Sequence, residues 1–166
     1  MSRLGGWSHL ARRFFEVLRA MPLTEAQRSE ARLLLRSDGE AALFFAQPPA
    51  DQQHGLAAAR HAPLGLRRAA LLHDIGKQMS GLGVWGRSLA SAAAKLHIPV
   101  RGRFAQYLAH GPIGAEMLEA VGVEQVIVDY ARCHHAERPK SISPEDWALL
   151  VEADRKARPN TGSPIR

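Results

Sequence analysis

The sequence predicts an all-α fold, and three observations carry the expectation. Apolar residues recur at three- and four-residue spacing in almost every segment, without the strict alternation of a half-buried strand. Helix-start signatures are frequent: Thr24 with Gln27, and Ser37 with Glu40, have the spacing of a capping box, in which each side chain satisfies a backbone donor at the other end. At 166 residues, 46% of them hydrophobic and 23% charged, the chain can bury one continuous core without disulfides. It contains neither an internal repeat nor a low-complexity linker, so a single structural domain is expected.

A first helix is expected over Trp7 to Met21, where Leu10, Phe14, Val17 and Leu18 form one stripe and Pro22 stops the run. The two capping boxes start two further helices. Those that follow are expected over Asp51 to Ala62, Leu66 to Gly76, Trp85 to His97, Arg103 to Ala109, Pro112 to Val121, Glu124 to His135 and Pro144 to Lys156. The last has the clearest start: Ser143 is a good N-cap, Pro144 suits the first helical position, and Asp146 complements the positive helix end. After Ala157, the run Arg158, Pro159, Asn160, Thr161, Gly162 offers neither an apolar stripe nor a cap, and residues 158–166 read as a frayed tail. Gly81, Gly83 and Gly86 follow no strand, which excludes a Rossmann or P-loop reading and leaves a flexible turn.

Cys133 is the single cysteine and cannot form an intramolecular disulfide. The stretch MSRLGGWSHLARRFF is broken by Arg, His and Gly before a signal-peptide core can form, and no apolar run approaches the roughly 20 residues of a membrane span. A cytoplasmic protein without a membrane partner is expected. The net charge of +6, from 22 basic against 16 acidic residues, favours anionic partners: a phosphorylated substrate, nucleic acid or an acidic surface. The arginines are scattered rather than clustered, which equally describes a solvated exterior and lends nucleic acid no specific support. Oligomeric state has no signature in the chain.

Chemistry concentrates in the histidines and their acidic neighbours. His73-Asp74, in AALLHDIGK, follows the apolar run Ala69, Ala70, Leu71, Leu72, which places the pair at the buried end of a helix. A carboxylate there must be paired or bound to a metal. His54, His110, the pair His134-His135 and Asp154 lie on or at the ends of other predicted helices, so separate segments can direct imidazoles and carboxylates at one centre. His9, His61 and His97 have no place in that series and read as ordinary surface or core residues.

The order His, HD, His, HH, Asp resembles the signature of the HD superfamily of metal-dependent phosphohydrolases, over about Asp51 to Lys156. HGPIGAEML, around His110, is similar to the corresponding segment of dinuclear members, such as HD-type cyclic dinucleotide phosphodiesterases and diadenosine tetraphosphate hydrolases. The resemblance implies an HD-domain helical bundle over residues 51–157; residues 1–50 lie outside it and read as extra N-terminal helices packed on the core or as substrate-facing cover. It also implies two divalent transition metals per chain. His54, His73, Asp74 and Asp154 would hold the first and His110, His134 and His135 the second, with Asp74 bridging them. Such nitrogen-rich sets suit iron, manganese, nickel, cobalt or zinc better than magnesium.

The implied activity is hydrolysis of a phosphoester or phosphoanhydride, in a nucleotide or another phosphorylated small molecule, by metal-activated water. Asp74 and Lys77 would be the catalytic residues. Lys77, three residues after Asp74, can reach over the same face towards a substrate phosphate, or it is a solvated lysine at a helix end. The chain lacks the glycine-tyrosine-proline motif of the cyclic-di-GMP branch, so that branch's substrate is not implied. The same donors would serve an HD-type di-iron oxygenase, over which Lys77 and the arginine excess favour phosphate, or a metal-binding regulatory module, which would leave an intact metal shell unexplained. Cys133 has no task beside metal-activated water. Arg101, Arg103 and Arg138 flank the histidine segments and read either as phosphate contacts or as surface charge.

Overall fold

The computed structural model describes residues 21–158; the helix expected from Trp7 onward and the tail beyond Arg158 lie outside them. Among the described residues the regular elements are all helical. They are α1 (Glu25–Leu34), α2 (Asp38–Phe45), α3 (Pro49–His61), α4 (Arg67–Leu72), α5 (Val84–Lys95), α6 (Arg103–Leu108), α7 (His110–Ala120), α8 (Gln125–Cys133) and α9 (Pro144–Ala157). Short 3-10 turns occupy Leu64–Leu66 and Ile75–Ser80. No helix among the described residues is long and apolar enough to cross a membrane.

Side-chain caps fix three of the nine helix starts among the described residues. The Thr24–Gln27 box forms completely: the Thr24 hydroxyl accepts from the Gln27 N–H and the Gln27 side chain accepts from the Thr24 N–H. Ser143 caps α9 by accepting from the Asp146 N–H at 3.0 Å. The second expected box is only half made. Ser37 accepts from the Glu40 N–H at 3.1 Å, but the Glu40 carboxylate accepts from the Arg36 N–H and forms a bidentate pair with Arg68, at 2.6 and 2.9 Å. A nearly buried guanidinium needs an anionic partner more than a helix end needs a second cap.

That pair yields a stability prediction. Burial works to raise the Glu40 carboxyl pKa, but hydrogen bonds from Arg68 and the Arg36 N–H, with the Arg68 charge, hold it below its ordinary value. A depressed carboxyl pKa stabilises the fold above the unfolded value of about 4.3, and the contribution is lost as pH falls through the folded value. Arg68→Ala leaves Glu40 buried without its partner, an expected cost of about 3–5 kcal/mol, or roughly 10 °C in melting temperature near neutral pH. The difference from wild type should narrow towards pH 4, where Glu40 of the variant protonates. Melting curves at several pH values check this, and a gap independent of pH would remove the pair as its cause.

The segment around His73 departs from expectation. Instead of one helix over Leu66 to Gly76, α4 ends at Leu72, His73 is its C-cap, and the chain tightens into the 3-10 turn before Gly81 closes it at φ 53°. The reason is tertiary. Gly76 does not end a helix but presses on α7, where an added Cβ would lie 2.6 Å from the Gly114 nitrogen and closer still to the His110 carbonyl oxygen. Helix α7 accordingly starts at His110 rather than Pro112, and Pro112 is tolerated in a first turn whose N–H groups have no intrahelical acceptor. Gly81 and Gly83 are likewise not a flexible turn: Arg103 donates to the carbonyls of Ser80 and Gly81, and Gly83 caps α5.

The core is formed by Leu56 of α3, Leu71 and Leu72 of α4, Ile75, Leu118 of α7, Val128 of α8 and Leu150 of α9, all fully buried. Helices α3, α4 and α9 form one packed group, and α7, α8 and the Ile75–Ser80 turn another. The approach of α3 to α4 is close enough that a Cβ on Gly55 would lie 2.7 Å from the Leu71 carbonyl oxygen. His73 and Asp74 join the two groups, so side chains from both can reach them.

Candidate metal centre

Three of the histidines are oriented by the helices that carry them. His73, His110 and His134 each turn Nδ1 onto a carbonyl three residues back, those of Ala70, Tyr107 and Ala131, at 2.8, 2.7 and 2.8 Å. A carbonyl only accepts, so Nδ1 carries the proton and Nε2 presents a lone pair. A backbone partner of this kind fixes ring direction and tautomer in metal-ligating histidines.

The Nε2 atoms converge on Asp74, whose carboxylate is buried. Its Oδ2 lies 3.3 Å from His73 Nε2 and 3.5 Å from His54 Nε2, while its Oδ1 lies 3.3 Å from both His110 and His134 Nε2. Asp154 completes the first group, with Oδ1 at 3.0 Å from His54 Nε2 and 3.6 Å from His73 Nε2. His135 joins the second from its solvent-open edge, its ring 5.0 Å from that of His110. The other six sequence-predicted metal ligands are therefore gathered around the Asp74 carboxylate, three to each of its sides.

Two features of this arrangement make poor sense without a cation. Asp74 Oδ1 is buried and receives no aligned hydrogen bond. The Nε2 atoms of His110 and His134 face each other at 3.2 Å, although both rings use their proton at Nδ1. Donors bound to a common transition metal at ~2.1 Å stand about 3.0–3.4 Å apart, the separation found among these atoms. The residues present fit a metal.

The electrostatics agree. Burial would raise the Asp74 pKa, but the Lys77 ammonium and the surrounding imidazoles hold it well below the carboxylate range. Asp154 is lowered against its burial by His54, His73 and Arg158. Burial, with Lys77 and His134 nearby, lowers the His110 pKa despite Asp74, which favours the neutral imidazole that ligates metals. Lys77, expected to face substrate, contacts Asp74 Oδ2 directly, because the 3-10 turn stacks residues three apart.

Other expectations resolve individually. Arg103 donates through Nε and Nη2 to the Ser80 and Gly81 carbonyls, and Arg138 through Nη1 to those of Pro139 and Ile142. Arg101 is exposed, as are His61 and His97. Arg158, assigned by sequence to the tail, caps α9 and reaches Asp154. Sequence reasoning passed over Asp51, Arg87 and Tyr107, which adjoin the centre, and Tyr130, whose buried hydroxyl pKa is raised by burial and by Asp154 and Asp74. A shallow cleft of about 190 Å³ between Arg68, Glu124 and Leu150 is a separate feature, and its arginines are already paired.

The family model for the HD domain matches residues 52–159, more than half of the sequence, and the chain belongs to the HD domain family. HD domains are generally metal-dependent hydrolases that bind divalent metals, and the His/Asp clusters on both sides of Asp74 could hold a metal ion. Comparisons with curated proteins and with solved structures find no match.

Proposed function

We propose that the chain is a metal-dependent phosphohydrolase or phosphodiesterase acting on a nucleotide or another phosphorylated small molecule. His54, His73, Asp74 and Asp154 hold one divalent transition metal, and Asp74, His110, His134 and His135 a second. The observation that carries this reading is the division of Asp74, one oxygen towards each group of donors. Iron, manganese, nickel, cobalt or zinc held there would lower the pKa of a coordinated water and hold phosphoryl oxygens for in-line displacement. Residues 51–157 make up the catalytic unit, in a cytoplasmic protein.

The chain's own groups complete the site. The carbonyls of Ala70, Tyr107 and Ala131 keep three imidazoles in the ligating tautomer. The Lys77 ammonium, kept protonated against burial by the Asp74 charge, is the nearest cationic donor for a phosphoryl oxygen. Metal analysis of protein purified without chelator should find about two ions per chain, and a screen of nucleotides and generic phosphoesters should find phosphate release. Product formation that needs dioxygen and releases no phosphate would replace this reading with an oxygenase. Lys77→Ala should retain both metals and lose about 10²–10³-fold in turnover, as expected for a donor to developing charge. Wild-type turnover in that variant would remove Lys77 from the site.

A further inference from the structure

The side chains of Asp51, Arg87 and Tyr107 stand beside the metal centre with no task in the chemistry above. Asp51 lies one helical turn before His54 on α3, and Tyr107 one turn before His110, with its ring stacked on the His110 imidazole at 5.8 Å. Arg87 reaches in from α5 and joins them. Its Nη1 donates to Asp51 Oδ1 at 2.7 Å, its Nε donates to the Leu82 carbonyl at 3.0 Å, and its guanidinium carbon lies 5.8 Å from the Tyr107 ring centre. Two edges of the guanidinium are thus anchored, while Nη2 makes no hydrogen bond among the described residues. The side chain is 15% exposed, so it is not sealed in the core. Burial works against its charge, but Asp51, Tyr107 and the more distant Asp74 maintain it. Asp51 Oδ2 is buried without a donor, so the pair is not closed on itself.

We propose that Arg87 is a substrate-binding residue that takes a second phosphate, adjacent to the one being hydrolysed, so that the site selects phosphoanhydrides such as nucleoside diphosphates over phosphomonoesters. This rests on the phosphohydrolase reading. A single phosphoryl group engaged by the centre and by Lys77 leaves Arg87 Nη2 without an acceptor. A diphosphate supplies one at the next bond, and a pre-anchored planar fork is the side chain best matched to it. In the hydrolysis, the water oxygen bonds to the terminal phosphorus and the bond from that phosphorus to the bridging oxygen breaks. The bridging oxygen keeps the electron pair on the phosphate held by Arg87, and the water protons pass to solvent. Asp51 is a positioning residue, acting through Arg87. The competing explanation, a salt bridge that only ties α5 to α3, predicts lost stability with unchanged discrimination between ligands.

The test compares metal-loaded wild type, Arg87→Ala and Arg87→Lys in two ways. One is kcat/KM for a nucleoside diphosphate against the monophosphate of the same base. The other is calorimetric affinity for methylenebisphosphonate against inorganic phosphate, which needs no turnover. Wild type should prefer the two-phosphate ligand in both, and Arg87→Ala should lower each preference by about 10–100-fold, chiefly through KM, the range for a hydrogen-bonded charge pair. Arg87→Lys should fall between them, keeping charge and losing the fork. Equal preferences in wild type and Arg87→Ala would overturn the proposal, as would a wild type that does not discriminate. Should Arg87→Ala fail to fold, the ratios in Arg87→Lys decide. If wild type hydrolyses no phosphate compound, the phosphohydrolase reading falls, while the bisphosphonate preference still decides whether Arg87 binds a second phosphate.

Discussion

Asp74→Ala is expected to strip most of the metal from protein purified without chelator and to lower kcat/KM for any phosphoester by at least about 10³-fold. Asp74 alone contributes an oxygen to each group of donors. Without it the second group consists of neutral imidazoles, and no negative charge remains between two cations that repel each other. Asp154 belongs to the first group only, so Asp154→Ala should reduce metal towards one ion per chain and leave the set at His110, His134 and His135 occupied. The Asp74 substitution also leaves Lys77 buried without its counter-charge, a loss of about 3–5 kcal/mol that can confound the result. Asp74→Asn keeps the shape but removes the same counter-charge, so its folding has to be read alongside its metal content. Metal content and circular dichroism on the same samples decide: a folded Asp74→Asn protein that retains two ions per chain would refute the bridging role.

The candidate site was more legible in the sequence than its geometry. Each gathered histidine and aspartate sits on or at the end of an amphipathic segment, and their order along the chain is a local property that survives without knowledge of contacts. The break after Leu72 left no such trace. Leu71, Leu72 and Ile75 continue a helical stripe, and only the arrival of α7 against Gly76 forces the 3-10 turn that places Lys77 on Asp74. Glu40 was misread for a related reason: the local capping signal is real, but Arg68, 28 residues away, competes for its carboxylate. Arg87 and Asp51 are separated by 36 residues and belong to no motif, so their pairing is a product of the fold alone. Arg103 and Arg138, which flank the histidine segments, also donate to backbone carbonyls that no sequence pattern announces.

Gly76→Ala is expected to cost more than about 4 kcal/mol and to lower the melting temperature by at least about 10 °C, a large effect for one methyl group. Overpacked cores usually relax by moving side chains, at about 1–3 kcal/mol. The atoms that the Gly76 Cβ would meet are the His110 carbonyl oxygen and the Gly114 nitrogen, which are backbone and cannot rotate away. Relief therefore requires α7 to shift from the HD turn, and α7 begins with His110, whose Nε2 lies 3.3 Å from Asp74 Oδ1. The stability loss should consequently come with selective loss of the ion bound by His110, His134 and His135, while the group at His54, His73 and Asp154 is less affected. Gly83→Ala is the control, because nothing lies within 4 Å of its Cβ position and its φ of −69° suits any residue. Differential scanning calorimetry with metal quantification on both variants checks the prediction. A Gly76→Ala protein with wild-type melting temperature and two ions per chain would show that the turn and α7 do not need backbone contact to build the centre.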